Sequence, residues 1–198
     1  LFFNCVVNVN SGNGSGVGNG LVTGKLFEPE GVAPAKGASV VVRSKSSIAS
    51  ITASGITPVD KPLYKTLTNS DGIFSFDTIP NGLYVIEGSD DKGNMVLYDS
   101  VLINNPDTVI LPDDTLEPAG VISGTVALGE NGNYPQVFVL AFGVDRFCQV
   151  QTDGRFYFPR FASGDYTLKI LSLDPEYEAV DTSGIVVKSG DTTDIGVM

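Results

Sequence analysis

The first ten residues, LFFNCVVNVN, alternate so that Leu1, Phe3, Cys5, Val7 and Val9 share one face and Phe2, Asn4, Val6 and Asn8 share the other. One face is wholly apolar and the other mixed, which predicts a β-strand with one side buried. The next ten, SGNGSGVGNG, carry Gly at 12, 14, 16, 18 and 20 and read as a flexible tether. From Leu21 onward, short alternating runs are separated by turn residues, and no segment keeps a 3.6-residue period beyond a turn or two. Strands are therefore expected throughout. Phe74 and Phe76 fall on one strand face, as do Phe156 and Phe158. Asp71-Gly72 and Asp153-Gly154 sit between such runs and predict hairpin turns.

The pattern occurs twice. TNSDGIFSFDTIPNGLYVIEG at 68–88 matches QTDGRFYFPRFASGDYTLKI at 151–170 with a constant offset of 82. That offset pairs Asp71 with Asp153, Gly72 with Gly154, Phe74 with Phe156, Phe76 with Phe158, Ile79 with Phe161, Gly82 with Gly164 and Tyr84 with Tyr166. Upstream, LVTGKL (21–26) matches VISGTV (121–126) at an offset of 100, so the first copy carries 18 extra residues, within 44–65. VLINNPDTVI (101–110) against VVKSGDTTDI (186–195) closes each copy, with LPDDTLEPAG as the joint. Short strands at regular spacing, with turn signals between them, point to sandwiches.

V-x-G, then a β-rich stretch, then D-G-x-F-x-F-x-x-(I/F)-x-x-G-x-Y, resembles the carboxypeptidase regulatory-like domain, whose relatives include the Cna-B repeats of bacterial surface proteins. The resemblance covers nearly all of 21–198, twice. It implies an all-β chain of two tandem transthyretin-like, Greek-key sandwiches of seven strands each, preceded by the N-terminal extended strand and Gly-rich linker. It is almost silent on function, because such modules serve as stalks, spacers, receptor extensions and pilin subunits. The expected boundaries are 1–10 for a donor strand, 11–20 for the linker, 21–116 for the first sandwich and 117–198 for the second. Some Cna-B relatives carry a Lys–Asn isopeptide promoted by an acid, for which the resemblance offers Lys25, Glu87 and Asn104. If Tyr84 and Ile86 face inward, however, Glu87 faces out, and the second copy has Thr125 at the Lys25 position.

Composition narrows the chemistry. The net charge is -11, which repels phosphate backbones and anionic lipid, so nucleic acid is not an expected partner. No run of about 20 apolar residues is present to span a bilayer as a helix. Residues 1–9 lack a basic n-region and are too short for a whole signal peptide, so any leader is expected to have been removed. The chain has no His and no Trp, which removes the usual general base and the commonest metal ligand. No nucleophile has an identifiable base. Asp90-Asp91 and Asp113-Asp114 lack the spacing of a Ca²⁺ loop, and the Gly-x-Gly steps of the tether lead into no helix. No cofactor, metal site or enzymatic activity is expected.

Three readings of residues 1–10 remain open. The strand folds back onto its own domain. Alternatively, Cys5 carries a lipid, with the Gly/Ser/Asn tract as its tether. Or the strand is donated to the sheet of an identical subunit by β-augmentation. Burying its five apolar side chains contributes on the order of 7–12 kcal/mol before the entropy of ordering, enough to hold a non-covalent polymer. Cys5 and Cys148 are the only two cysteines, and an oxidising exterior would permit a disulfide between them.

Asp is followed by Ser or Thr six times, more often than composition alone gives. Thr78, Ser100, Thr108, Thr115 and Thr192 are the candidates in these steps, which resemble the Asp-Ser/Thr-aliphatic O-glycosylation motif of secreted Bacteroidetes proteins. Asp-Thr is also a common turn-to-strand step. These readings converge on an extracellular, cell-surface structural subunit of a bacterial filament or pilus-like fibre. Its partners would be identical subunits and covalent glycans, and its polymerisation would use the N-terminal strand. The second reading is a surface accessory or carbohydrate-binding module anchored at Cys5.

Overall fold

The computed structural model describes residues 20–52, 55–57, 64–104, 107–129, 132–144 and 146–198. The expected donor strand, the tether through residue 19, and Cys5 with its pairing to Cys148 lie outside the described residues. The first repeat contains β1 (Gly20–Phe27), β2 (Ser39–Ser44), β3 (Ser50–Thr52), β4 (Gly55–Thr57), β5 (Tyr64–Leu67), β6 (Ile73–Ile79), β7 (Gly82–Ser89), β8 (Asn94–Ile103) and β9 (Val109–Ile110). The joint contains β10 (Asp114–Thr115) and β11 (Glu117–Pro118). The second repeat contains β12 (Gly120–Thr125), β13 (Val137–Ala141), β14 (Arg146–Gln149), β15 (Arg155–Phe161), β16 (Gly164–Ser172), β17 (Val180–Val187) and β18 (Thr192–Val197).

The chain is all-β, and the two repeats share one topology. In the first, β9-β1-β6 form one sheet and β8-β7-β2-β5 the other. In the second, β18-β12-β15 face β17-β16-β13-β14. Matched strand for strand, the orders are identical. Each pair of sheets encloses its own core, around Val22, Leu26, Phe74, Ile79 and Ile86 in one case and Ile122, Phe156, Phe158, Phe161 and Leu168 in the other.

The repeated motif has a packing explanation. Gly24 pairs with Phe74 across β1 and β6, and Gly124 with Phe156 across β12 and β15. A Cβ on Gly24 would lie 2.7 Å from the Phe74 ring, and one on Gly124 2.9 Å from the Phe156 ring. The glycine of V-x-G is the space that the first phenylalanine of F-x-F occupies. The next core residue follows at three positions rather than two, which period-2 alternation cannot accommodate. Both copies solve this with a bulge: Thr78 (φ 70°) and Arg160 (φ 71°) adopt left-handed backbone, and the register slips there against β1 and β12. Ile79 and Phe161 are thereby turned fully inward. The tyrosine of G-x-Y then fastens the corner: the Tyr84 hydroxyl donates to the Pro80 carbonyl at 3.1 Å and that of Tyr166 to the Ala162 carbonyl at 3.0 Å.

The Asp-Gly turns do not close hairpins. β5 belongs to one sheet and β6 to the other. The Asn69 amide does donate to Ile73 O, as in a hairpin turn, but the flanking strands then part to opposite layers. The turn is instead tied to the end of β1, where Leu26 N donates to Gly72 O, as Val126 N donates to Gly154 O in the second copy. Local turn chemistry is the same for either outcome; sheet membership is decided by where the apolar faces are buried.

Gly72→Ala should cost about 2 kcal/mol or more. Its φ is +74° and an added Cβ would come within 2.2 Å of the Leu26 carbonyl oxygen. Gly129→Ala, where nothing lies within 4 Å, should stay within about 0.5 kcal/mol of the parent. Urea unfolding of the two variants checks both.

Candidate functional site: the seam between the sandwiches

On β7, Tyr84 and Ile86 point into the first core, so Val85 and Glu87 must point out of it. Both are nevertheless buried, at 5% and 7% exposure, because the second sandwich covers that face. Val85 belongs to the second sandwich's core cluster, and Leu97 of β8 packs against it. Two glycines allow the close approach: a Cβ on Gly143 would lie 2.8 Å from Val85, and one on Gly164 2.9 Å from Leu97.

Glu87 is the polar centre of the seam. Arg146 Nη2, at the start of β14, donates to its Oε1 at 2.7 Å, and Arg43 Nη1 of β2 lies 3.8 Å from its Oε2. One guanidinium comes from each sandwich. The Arg146 guanidinium also lies over the Phe161 ring, 5.4 Å from its centroid. A carboxylate this buried is tolerated because it is paired and hydrogen-bonded. Beside it, burial pushes the Tyr166 phenol pKa up; the Glu87 charge adds to the rise and Arg146 opposes it.

The 18 extra residues of the first copy reach this same boundary. Ile48, Ala49 and Ile51 pack against Phe138, Leu140, Phe147, Leu171 and Leu173 of the second sandwich, and Gly143 N donates to Ser47 O at 2.8 Å. The insertion therefore covers the outer face of β13. The joint is fixed as well. Strand β10 pairs with the end of β1 and β11 with β8. Leu116, 1% exposed, sits in the first core. The Pro118 carbonyl accepts from Gly190 N at 2.9 Å and Ser189 Oγ at 3.1 Å. The sequence held a signal for this seam: VFVLA at 137–141 is apolar without alternation, as a strand covered on both faces is.

The residues singled out in sequence fall as follows. Lys25 and Glu87 occupy opposite outer faces of the first sandwich. Lys25 Nζ lies over the Phe27 ring at 4.8 Å, while Glu87 is engaged by the arginines. Asn104 is exposed, so the structure brings no Lys–acid–Asn set together. Thr78, Ser100 and Thr192 are exposed, and Thr108 and Thr115 are half-buried. The Ser100 hydroxyl is engaged by Lys45 and Asp99, and that of Thr78 by the Asp77 carbonyl. Cys148 is half-buried on β14, with its thiol pKa pushed up to about 12 by burial. Asp90 accepts from Lys92 N, Asn94 N and Asn94 Nδ2, capping its own turn. Among the described residues, no three His, Cys, Asp or Glu side chains gather as metal ligands, and no helix is long and apolar enough to cross a membrane.

No protein family and no curated protein matches the sequence. Among solved structures, the chain overlaps GBS52, the minor pilin of Streptococcus agalactiae, at 11% identity and a TM-score of 0.38, covering 89% of this chain and 93% of that one. It overlaps a streptococcal ancillary pilin at 12% identity and 0.38, covering 89% and 61%. It overlaps the Bacillus anthracis TIE protein at 16% identity and 0.36, covering 90% of this chain and 33% of that one. At these low scores, no family or activity is carried over to this chain.

Glu87→Ala leaves Arg43 and Arg146 without their carboxylate. It should destabilise the protein by about 3 kcal/mol, the lower end for a broken buried pair because Arg146 keeps some solvent contact. Calorimetry should show the two sandwiches melting apart. A second prediction concerns the joint, where burial chiefly, and Glu117 next, raise the Asp114 pKa against a lowering hydrogen bond from Thr115 N. A carboxyl with a raised folded value binds its proton more tightly when folded, so it costs stability as pH rises past the ordinary 3.8. Asp114→Asn should therefore raise Tm at neutral pH, and the gain should vanish well below that value.

Proposed function

We propose that this chain is a structural subunit of an extracellular bacterial filament or pilus-like fibre, built from identical subunits through the strand Leu1–Val9. The observation that carries this reading is the seam. A buried carboxylate with a guanidinium from each side, two apolar side chains sunk into the neighbouring core, and a joint hydrogen-bonded on both sides make two sandwiches a single stiff unit. Stiffness of that kind transmits force and sets spacing. In the sequence, this unit is preceded by a Gly-rich stretch and, before that, by a segment whose alternation gives one wholly apolar face. Left bare, such a segment is a sticky edge; seated in a neighbour, it becomes a link.

On this reading, glycans on Thr78, Thr192 or the other Asp-Ser/Thr sites would coat the fibre rather than build it. Fold and assembly are separable. Deleting residues 1–10 should leave a folded protein of unchanged Tm that sediments as a monomer, while the full chain forms fibres in electron micrographs. Discrete particles from the full chain at all concentrations would refute the proposal. A diacylglyceryl group on Cys5 in the native protein's mass spectrum would favour the anchored accessory module instead.

A further inference from the structure

The two repeats differ at a matched pair of positions. Tyr64 lies opposite Val42 in a row with Ile86, and Arg146 lies opposite Ala141 in a row with Leu168. Ile86 and Leu168 are related by the repeat offset of 82, as are Thr78 and Arg160. Arg146 therefore stands where the first copy has Tyr64, and Arg160 where it has Thr78.

In the first sandwich the slit between β5 and β6 is bridged. Tyr64 packs against the core, and its hydroxyl donates to the Thr78 carbonyl at 3.2 Å. In the second sandwich the guanidinium of Arg146 lies over Phe161 and is drawn to Glu87 at the seam. Between β14 and β15 there is a groove of about 410 Å³, lined by Arg146, Phe147, Cys148, Phe158, Pro159 and Arg160. The side chain that spans the slit in one copy turns toward the other sandwich in the next.

The groove is positive on an acidic chain. Glu87 is shared by Arg43 and Arg146, so that buried group carries one more positive charge than negative. Arg146 Nη1 has no hydrogen-bond partner among the described residues. Arg160 adds a second positive charge; it is exposed and makes no hydrogen bond or ion pair among the described residues. The rest of the lining, Phe147, Cys148, Phe158 and Pro159, is apolar.

We infer that this groove binds a carboxylate carried on an apolar body. Guanidinium forks match carboxylates in shape and charge. Arg146, held by Glu87 and Phe161, is a fixed wall that costs little to order, and Arg160 is the contact at the rim. A hydrated inorganic anion would have to shed water against apolar walls that give nothing back. A free organic acid and an acidic side chain of another protein both present the required group. The site does not depend on whether the chain polymerises.

Calorimetric titration of the full-length chain with 3-phenylpropionate, and separately with the capped peptide acetyl-Phe-Glu-Phe-amide, tests this. At least one should bind saturably at a single site, with NMR shifts centred on β14 and β15, and tighter than inorganic phosphate. Arg160→Gln should weaken binding about tenfold, the step expected of one charge-assisted hydrogen bond. Arg155→Gln should leave it unchanged, because Arg155 already faces Asp153 at 3.7 Å. Asp145, beside Arg146 in sequence and outside the described residues, is the competing carboxylate, so Asp145→Asn should leave binding equal or tighter. Unchanged melting shows that each variant is folded; Arg160→Lys, which keeps the charge and loses the fork, replaces Arg160→Gln if the latter is not. Binding of the free acid alone supports the site with a small molecule as its ligand, and binding of the peptide supports it with a protein segment. No saturable binding of either probe, equal weakening by Arg155→Gln and Arg160→Gln, phosphate as tight as the organic probes, or weaker binding by Asp145→Asn would overturn it. None of these outcomes bears on whether the chain forms fibres.

Discussion

Two sheets laid face to face bury their inner surfaces but leave the rims between them open, and closing those rims is the constraint on which the rest of this molecule depends. Water entering a slit would reach the phenylalanines that hold each core. In the first repeat the chain closes one rim itself, by laying Leu111–Pro118 across it and sinking Leu116 between the layers. Because that same stretch is the joint, the closure also fixes where the second repeat begins. The linker here is part of a core, which a flexible spacer cannot be.

That placement makes the seam. With β12 starting two residues after β11, the second sandwich is set against the outer face of the first, and Val85, Glu87 and Leu97 are covered by it. The charge on Glu87 turns a merely apolar contact into a registered one. Sliding the two units would strip a buried carboxylate of Arg146, whereas sliding two greasy surfaces would cost comparatively little. The insertion in the first repeat acts likewise, covering the apolar outer face of β13, which its counterpart β2 does not present.

Much of this was legible in the chain. The repeat, the strands, the inward phenylalanines and the outward direction of Glu87 follow from spacing, because alternation has a period of two and a core position cannot be shared with water. Even the bulge is written in the three-residue step from Phe76 to Ile79 and from Phe158 to Phe161. The Asp-Gly turns misled for a definite reason. The same four residues reverse the chain whether the strands that follow pair with each other or part to separate sheets, and only the burial of their faces distinguishes the cases. The candidate Lys25–Glu87–Asn104 set dissolved on the same ground: closeness across a sandwich needs inward direction, and Glu87 points away.

Sequence alone determined the elements and the two-fold repetition, since periodicity and the space a glycine leaves for a phenylalanine are local matters. It also excluded histidine-based chemistry outright. Tertiary structure decided what the non-repeating parts are for: the extra residues of the first copy as a bracket, the acidic joint as a plug, and Glu87 as the partner of two arginines from different units. Those roles depend on which surfaces meet after folding. Contacts between residues 59 positions apart, such as Glu87 and Arg146, leave no periodic trace in the chain that makes them.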